Sequence, residues 1–199
     1  MPVGPHPPPW PSDPHLDPTL LAAGDARNVV DRYRYWRVDA IRADLRTRRS
    51  PLHVAIENVE HDLNIGSIVR TANAFNVAGV HIVGRRRWNR RGAMVTDAYL
   101  DIDHHRDIGD LLCWARESDL PVLAVDVVPA AVPIEGFVMP RACLLLFGQE
   151  GPGLSPAALT GAKRVLSISQ HGSTRSMNVA AAAAIAMHCW ASQHLPRGS

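Results

Sequence analysis

The chain has 199 residues, with 21 lysines and arginines against 19 aspartates and glutamates, for a formal net charge of +2. That length suits one domain with a full hydrophobic core and is short for two full-sized ones. A net charge this small does not establish a nucleic-acid partner, so the distribution of charge is more informative than its sum. No stretch stays apolar for the roughly eighteen residues a membrane span needs, and no charged start leads into an apolar signal core, so a cytoplasmic protein without membrane contact is expected. Cys113, Cys143 and Cys189 form no Cys-x-x-Cys pair and are expected to be reduced, buried thiols.

In chain order, residues 1–24 read as a disordered arm, because half of the 16 prolines fall in the first eighteen residues. Residues 25–50 read as a helical extension, in which Asp25 caps an amphipathic helix carrying Val30, Tyr33, Ile41 and Leu45. Residues 51–195 are expected to form the main domain. Ser50-Pro51 interrupts the helix, and the run LHVAIEN is a short apolar strand. A helix then begins near Asn64 and carries Ile65, Ile68, Val69, Ala72 and Phe75. The strand VHIVG, a helix over Asp107 to Ser118 and the strand PVLAVDV follow. After a proline-punctuated connection come the strand ACLLLFG, a short helix after Ser155, the strand RVLSIS and a closing helix from Met177 to about His194. Strands alternating with helices predict an α/β fold, a parallel sheet covered on both faces.

Arginines cluster twice. Arg32, Arg34 and Arg37 interleave with Tyr33, Tyr35 and Trp36, and Arg85, Arg86, Arg87, Arg90 and Arg91 surround Trp88. The second cluster suits an RNA-docking loop, with arginines on phosphates and Trp88 on a base; packing of Trp88 into the protein is the alternative.

In parallel α/β sheets, ligands bind where loops leave the carboxyl ends of the strands, and three such loops carry unusual chemistry. In the first, Asn64-Ile65-Gly66-Ser67-Ile68-Val69-Arg70, helix-terminal N–H groups attract anions and Gly66 allows close approach; Asn64 as a plain helix cap is the alternative. In the second, Gly148-Gln149-Glu150-Gly151-Pro152-Gly153, glycines around one carboxylate expose backbone able to bind a nucleoside, or simply make a tight turn. The third, Thr174-Arg175-Ser176-Met177-Asn178, precedes an alanine-rich helix, for which Ser176 or Asn178 is an ordinary cap. Walker and dinucleotide fingerprints are absent, as is a serine-hydrolase elbow, and the histidines show no metal spacing.

Together, the order and content of the three loops resemble the three motifs of the SpoU–TrmH family of RNA ribose methyltransferases, in the SPOUT superfamily. Asn64, Gly66 and Arg70 stand as in its first motif; Gly148, Glu150, Gly151 and Gly153 as in its second; Ser176 and Asn178 as in its third. The resemblance implies a parallel sheet of about five or six strands with a C-terminal deep trefoil knot, a topology otherwise nearly absent from folds. It also implies an obligate homodimer and S-adenosylmethionine-dependent methylation of a ribose 2′-hydroxyl in structured RNA. Donor contacts would fall on Gly148, Glu150, Gly151, Ile168 and Ser176, and catalytic roles on Asn64, Arg70, Glu150, Ser176 and Asn178. The lack of a separate N-terminal module tilts the RNA toward transfer RNA. Ribosomal RNA is the alternative, and a non-catalytic RNA-binding protein of the same fold is a more distant one. Where the family commonly has Ile-Pro-Met, this chain has Ile168-Ser169-Gln170, which predicts a looser closing loop.

Overall fold

The computed structural model describes residues 2–58, 61–84 and 88–196, with the side chains of Arg90 and Arg91 outside that description. Helices α1 (Pro18–Ala23) and α2 (Val38–Arg46) precede strand β1 (Ser50–Glu57), α3 (Asp62–Ala74), β2 (Val77–Val83), β3 (Ile102–His105) and α4 (Ile108–Glu117). Then come β4 (Val122–Val125), β5 (Val132–Pro133), β6 (Cys143–Phe147), α5 (Pro156–Gly161), β7 (Arg164–Ser167) and α6 (Val179–His194).

The strands form one sheet in the order β3-β2-β1-β6-β4-β7-β5, and every pairing is parallel. Seven strands exceed the five or six expected. The sequence of β3, IDHH, is polar and lacks a strand's apolar pattern, and β5 is two residues long within a proline-rich connection. In the central strands side chains alternate between the two faces. Leu52, Val54, Ile56, Leu123, Val125, Leu145 and Phe147 point to the layer of α3 and α6. Ala55, Val122, Ala124, Leu144 and Leu146 point to the layer of α4 and α5. Alternation that stays apolar on both sides is what a sheet covered on both faces requires.

On the α4 side, His53 Nδ1 lies 3.0 Å from His81 Nε2, and His81 Nδ1 lies 3.0 Å from His105 Nε2. Trp114 packs against all three rings. Burial, then the neighbouring His53 and His105, pushes His81 down to about 3. These histidines are packing residues, neutral in the fold.

The extension departs from expectation. No helix starts at Asp25; α2 begins at Val38, after a 3-10 turn over Asp31–Tyr33. Asp25 is instead fully buried, pairs with Val3 through the backbone, and accepts hydrogen bonds from the Arg27 side chain and the Tyr35 amide. The arm expected to be disordered follows a defined path: Tyr35 donates to the Gly4 carbonyl at 2.7 Å, and His15 stacks on Trp36. Proline at the first helical position is compatible with the short helix α1, and the proline-rich stretch before it is held by side-chain and isolated backbone tethers.

Candidate functional site

All strands being parallel, the loops after β1, β4, β6 and β7 emerge at one end of the sheet. The loop after β6 doubles back, with the Gly153 amide donating to the Gln149 carbonyl at 3.1 Å. Gly151 and Gly153 take left-handed φ values of 91° and 74°, which favour glycine. Gly148 has no room for a side chain, since a Cβ would lie 2.3 Å from the Gly153 carbonyl carbon.

Two carboxylates that the sequence reading missed hold this loop from either side. Asp126, just past β4, accepts from the Leu154 amide at 2.8 Å and leaves no space for a Cβ at Gly153. Glu57, the buried last residue of β1, accepts from the Ser155 amide at 2.9 Å. The only sequence signal for either was an acid ending an apolar strand.

Beside the loop lies a cleft of about 870 Å³, lined by Gly148, Glu150, Gly151, Ile168, Ser176 and Asn178 among others, with Asp126, Gln170 and Arg175 also contributing. That volume falls within the roughly 300–1,000 Å³ of small-molecule sites. The expected donor-contact residues therefore share one wall system.

The three loops meet through amides. Asn64 Nδ2 donates to Glu150 Oε1, and Asn178 Nδ2 donates to Asn64 Oδ1 at 3.0 Å. Asn178 also caps α6, its Oδ1 accepting from the Ala180 and Ala181 amides, so one side chain both caps the helix and bonds Asn64. Asn64 is no cap: α3 starts earlier, with His61 at the capping position. The other oxygen of Glu150, Oε2, is buried with no hydrogen-bond partner among the described residues. A buried carboxylate oxygen left unpaired is costly and calls for a donor from elsewhere.

Other expected residues stand apart. Arg70 is exposed on α3 and does not line the cleft. Gly66 makes room for protein rather than ligand: a Cβ there would lie 2.5 Å from the Gly92 carbonyl carbon, so the glycine lets α3 press on the 3-10 turn Arg90–Ala93. Trp88 is half-buried and packs against the core. Arg85, Arg86 and Arg87 lie outside the described residues. Among the described residues no group of histidine, cysteine and carboxylate side chains could hold a metal, and no helix is long and apolar enough to cross a membrane.

An α/β protein with a nucleoside-sized cleft at the carboxyl ends of a parallel sheet is the class this geometry defines. The family described as the SpoU rRNA Methylase family matches residues 51–188, and the chain belongs to it. The tRNA (guanosine(18)-2′-O)-methyltransferase of Escherichia coli (strain K12) is 30% identical over 159 residues, which are 78% of this chain and 68% of that protein. The enzyme of the same name from Thermus thermophilus is also 30% identical, over 77% of this chain and 81% of its own length. The AdoMet-bound rRNA methyltransferase from Sinorhizobium meliloti superposes with a TM-score of 0.69 at 25% identity, covering 76% of this chain and 61% of that one. The A. aeolicus TrmH/SpoU tRNA modifying enzyme shares the fold, with a TM-score of 0.71 at 22% identity, over 79% of this chain and 82% of that one.

Proposed function

We propose that this protein transfers a methyl group from S-adenosylmethionine to a ribose 2′-hydroxyl of structured RNA, and that the RNA is transfer RNA. The carrying observation is the convergence of three distant loops, through Asn64, Glu150 and Asn178, beside a cleft walled by Gly148, Ile168 and Ser176. The fit to the donor rests on the cleft's size and on the backbone exposed by the glycine turn. The names of the 30%-identical relatives favour transfer RNA. Ribosomal RNA is the second reading, favoured by the family's name and the Sinorhizobium meliloti structure.

When bound, the donor would supply an electrophilic methyl on a sulfonium, with a neutral thioether as the group that leaves as the ribose oxygen bonds to the methyl carbon. The protein's task is to bring that oxygen close and raise its nucleophilicity. Arginine is a poor proton acceptor, because its pKa exceeds about 12. Arg70 therefore clamps the phosphate beside the target nucleotide and stabilises the developing alkoxide, while phosphate or water takes the proton. Gly148, Gly151 and Ile168 hold the donor. Ser176 and Asn178 fix donor and ribose, and Asn64 orients the ribose and the Glu150 carboxylate.

The protein works as a homodimer. Leu63, which is 74% exposed, and Arg70 lie seven residues apart on α3, about 20° from a common line along the helix. A second copy covering Leu63 also takes up Arg70, and Glu150 of the facing subunit neutralises and orients it. The C-terminal trefoil knot belongs to the same proposal. Supporting it is the position of β6, which lies between β1 and β4 although it follows β5 in the chain. Arg85, Arg86, Arg87, Arg90 and Arg91 dock RNA phosphates, with Trp88 anchoring the loop and presenting its open edge to a base. The setting is the cytoplasm.

The test is calorimetric titration with S-adenosylmethionine, followed by methyl incorporation into transfer and ribosomal RNA transcripts and a 2′-deoxy substitution at the mapped nucleotide. Absence of donor binding defeats the proposal. Incorporation that survives the deoxy substitution moves the target from ribose to base, and incorporation into ribosomal RNA alone selects the second reading.

A further inference from the structure

The segment between β7 and α6 supplies one wall of the cleft through Ile168, Gln170, Arg175 and Ser176. Its far end is anchored by Asn178, which caps α6 and bonds Asn64. Residues 171–176 are exposed, and a Cβ at Gly172 would meet nothing within 4 Å. How the near end is held therefore decides whether the wall stands ready for a ligand.

At the near end Ile168 packs against the core, and one side chain holds the residue that follows it. Strands β5 and β7 pair as Val132 with Leu166 and Pro133 with Ser167, and the same register continued two residues sets Glu135 opposite Ser169. The backbone leaves the ladder there, because Ile134–Gly136 winds into a 3-10 turn. The Glu135 carboxylate takes over the role of the missing ladder carbonyl. Its Oε1 accepts from the Ser169 amide at 2.9 Å and its Oε2 from Ser169 Oγ at 3.2 Å. The Ser169 amide, with help from the serine hydroxyl, holds this carboxyl below its usual range. Ser169 thus spends both its donors on one exposed anion, with cleft-lining residues on either side of it. The loop expected to be loose at Ser169-Gln170 has a tether at that serine.

We propose that Glu135 is a positioning residue for the donor cleft: by engaging both donors of Ser169 it fixes Ile168 and Gln170 in the wall and sets donor affinity, not the rate of methyl transfer. This rests on reading the cleft as the donor site. Charge-assisted bonds are the stronger kind, so Glu135→Ala should weaken S-adenosylmethionine binding by roughly tenfold, with kcat at saturating donor within about twofold of the parent. Glu135→Gln, which keeps an oxygen for the Ser169 amide, should recover part of the loss. Ser169→Ala removes the hydroxyl donor alone and should weaken donor binding less than Glu135→Ala; combined with it, the alanine should add little, as expected for two halves of one interaction.

A readout without donor completes the test. Hydrogen exchange at the Ser169 amide should speed up in Glu135→Ala, while the melting midpoint and the exchange of β4 and β6 amides stay unchanged. Failure of the parent protein to bind donor defeats the functional reading itself. A parent that binds, with a Glu135→Ala variant of equal affinity, overturns this inference alone. So does a variant whose kcat falls while donor affinity holds.

Discussion

The two ends of the sheet use polar groups in opposite ways. At the amino ends of the strands, three carboxylates are engaged by guanidinium groups of their own chain. Asp101 accepts from Arg42, Arg46 and Arg49, and Asp44 from Arg32, Arg48 and Tyr33. Asp25 is held by Arg27 at 2.7 Å. At the carboxyl ends, acids hold backbone amides of loops, and Glu150 keeps one buried oxygen without a partner among the described residues. Carboxylates engaged on several sides at one end stabilise the fold, although Arg34 Nε and Arg49 Nε there are buried without a hydrogen-bond partner among the described residues, while Glu150 at the other end is left to be completed by a ligand or a second chain.

The largest expected effect belongs to the open end. Arg70→Ala should lower kcat by about 10³-fold or more, as loss of a transition-state donor does. Donor binding by calorimetry should be unchanged, since Arg70 lies outside the cleft. Loss of donor binding together with activity would remove Arg70 from this role.

At the closed end the next effect is one of stability. Asp25→Ala leaves Arg27, its partly buried partner, without its counter-charge, and should cost about 3 kcal/mol in urea denaturation. Methyl transfer at a permissive temperature should survive. A variant that kept its stability and lost activity would erase the division between the two ends.

The same division governs what could be read from sequence. The sheet was legible because β-branched and leucine-rich runs alternate with helical periods, and a strand such as CLLLF has few other places to go. The three loops were legible as glycine, asparagine and carboxylate groupings directly after such runs, so Asn64, Gly148, Glu150 and Asn178 emerged with their neighbourhood. Arg70 was legible as a residue type and not as a direction, because helix phase carried it to an exposed face. Asp126, Glu57 and Glu135 escaped. Each binds an amide 28 to 98 residues away, and periodicity carries no information about such pairings. The extension failed for the same reason. Asp25 looks like a cap locally, and only its burial against Arg27 and the Tyr35 amide shows it organising the arm.

Acid should break the two regions in sequence. His81 is pushed down to about 3, so between its unfolded value of 6.5 and about 3 the unfolded chain takes up a proton that the folded chain refuses. Stability therefore falls as pH drops through that window, by at most about 1.4 kcal/mol per pH unit from this group. Nearby Asp103, acting on His53 and His105, opposes the trend in part. His81→Gln should flatten the dependence between pH 6.5 and 4.5 in urea titrations; an unchanged slope assigns the loss to other groups. The Asp25 contribution goes later. Burial alone would raise this carboxyl, but the hydrogen bonds from Arg27 and Tyr35 prevail and hold it at about 2. Its stabilisation is present above 3.8 and disappears as pH falls toward 2.

The smallest effect is the sharpest test of saturation. Arg46, with a side chain 57% exposed, is one of three guanidinium groups on Asp101, and removing it leaves Arg42 at 2.6 Å and the well-buried Arg49 in place. Arg46→Ala should change stability by less than about 0.5 kcal/mol, the usual size for an exposed pair. Arg49→Ala should cost distinctly more, because Arg49 also donates to the Ala78 and Tyr99 carbonyls and ties β2 to the turn before β3. If the two variants were equally destabilised in the same denaturant series, Asp101 would be counting charges, and the closed end would be a balance of fields instead of a set of directed bonds.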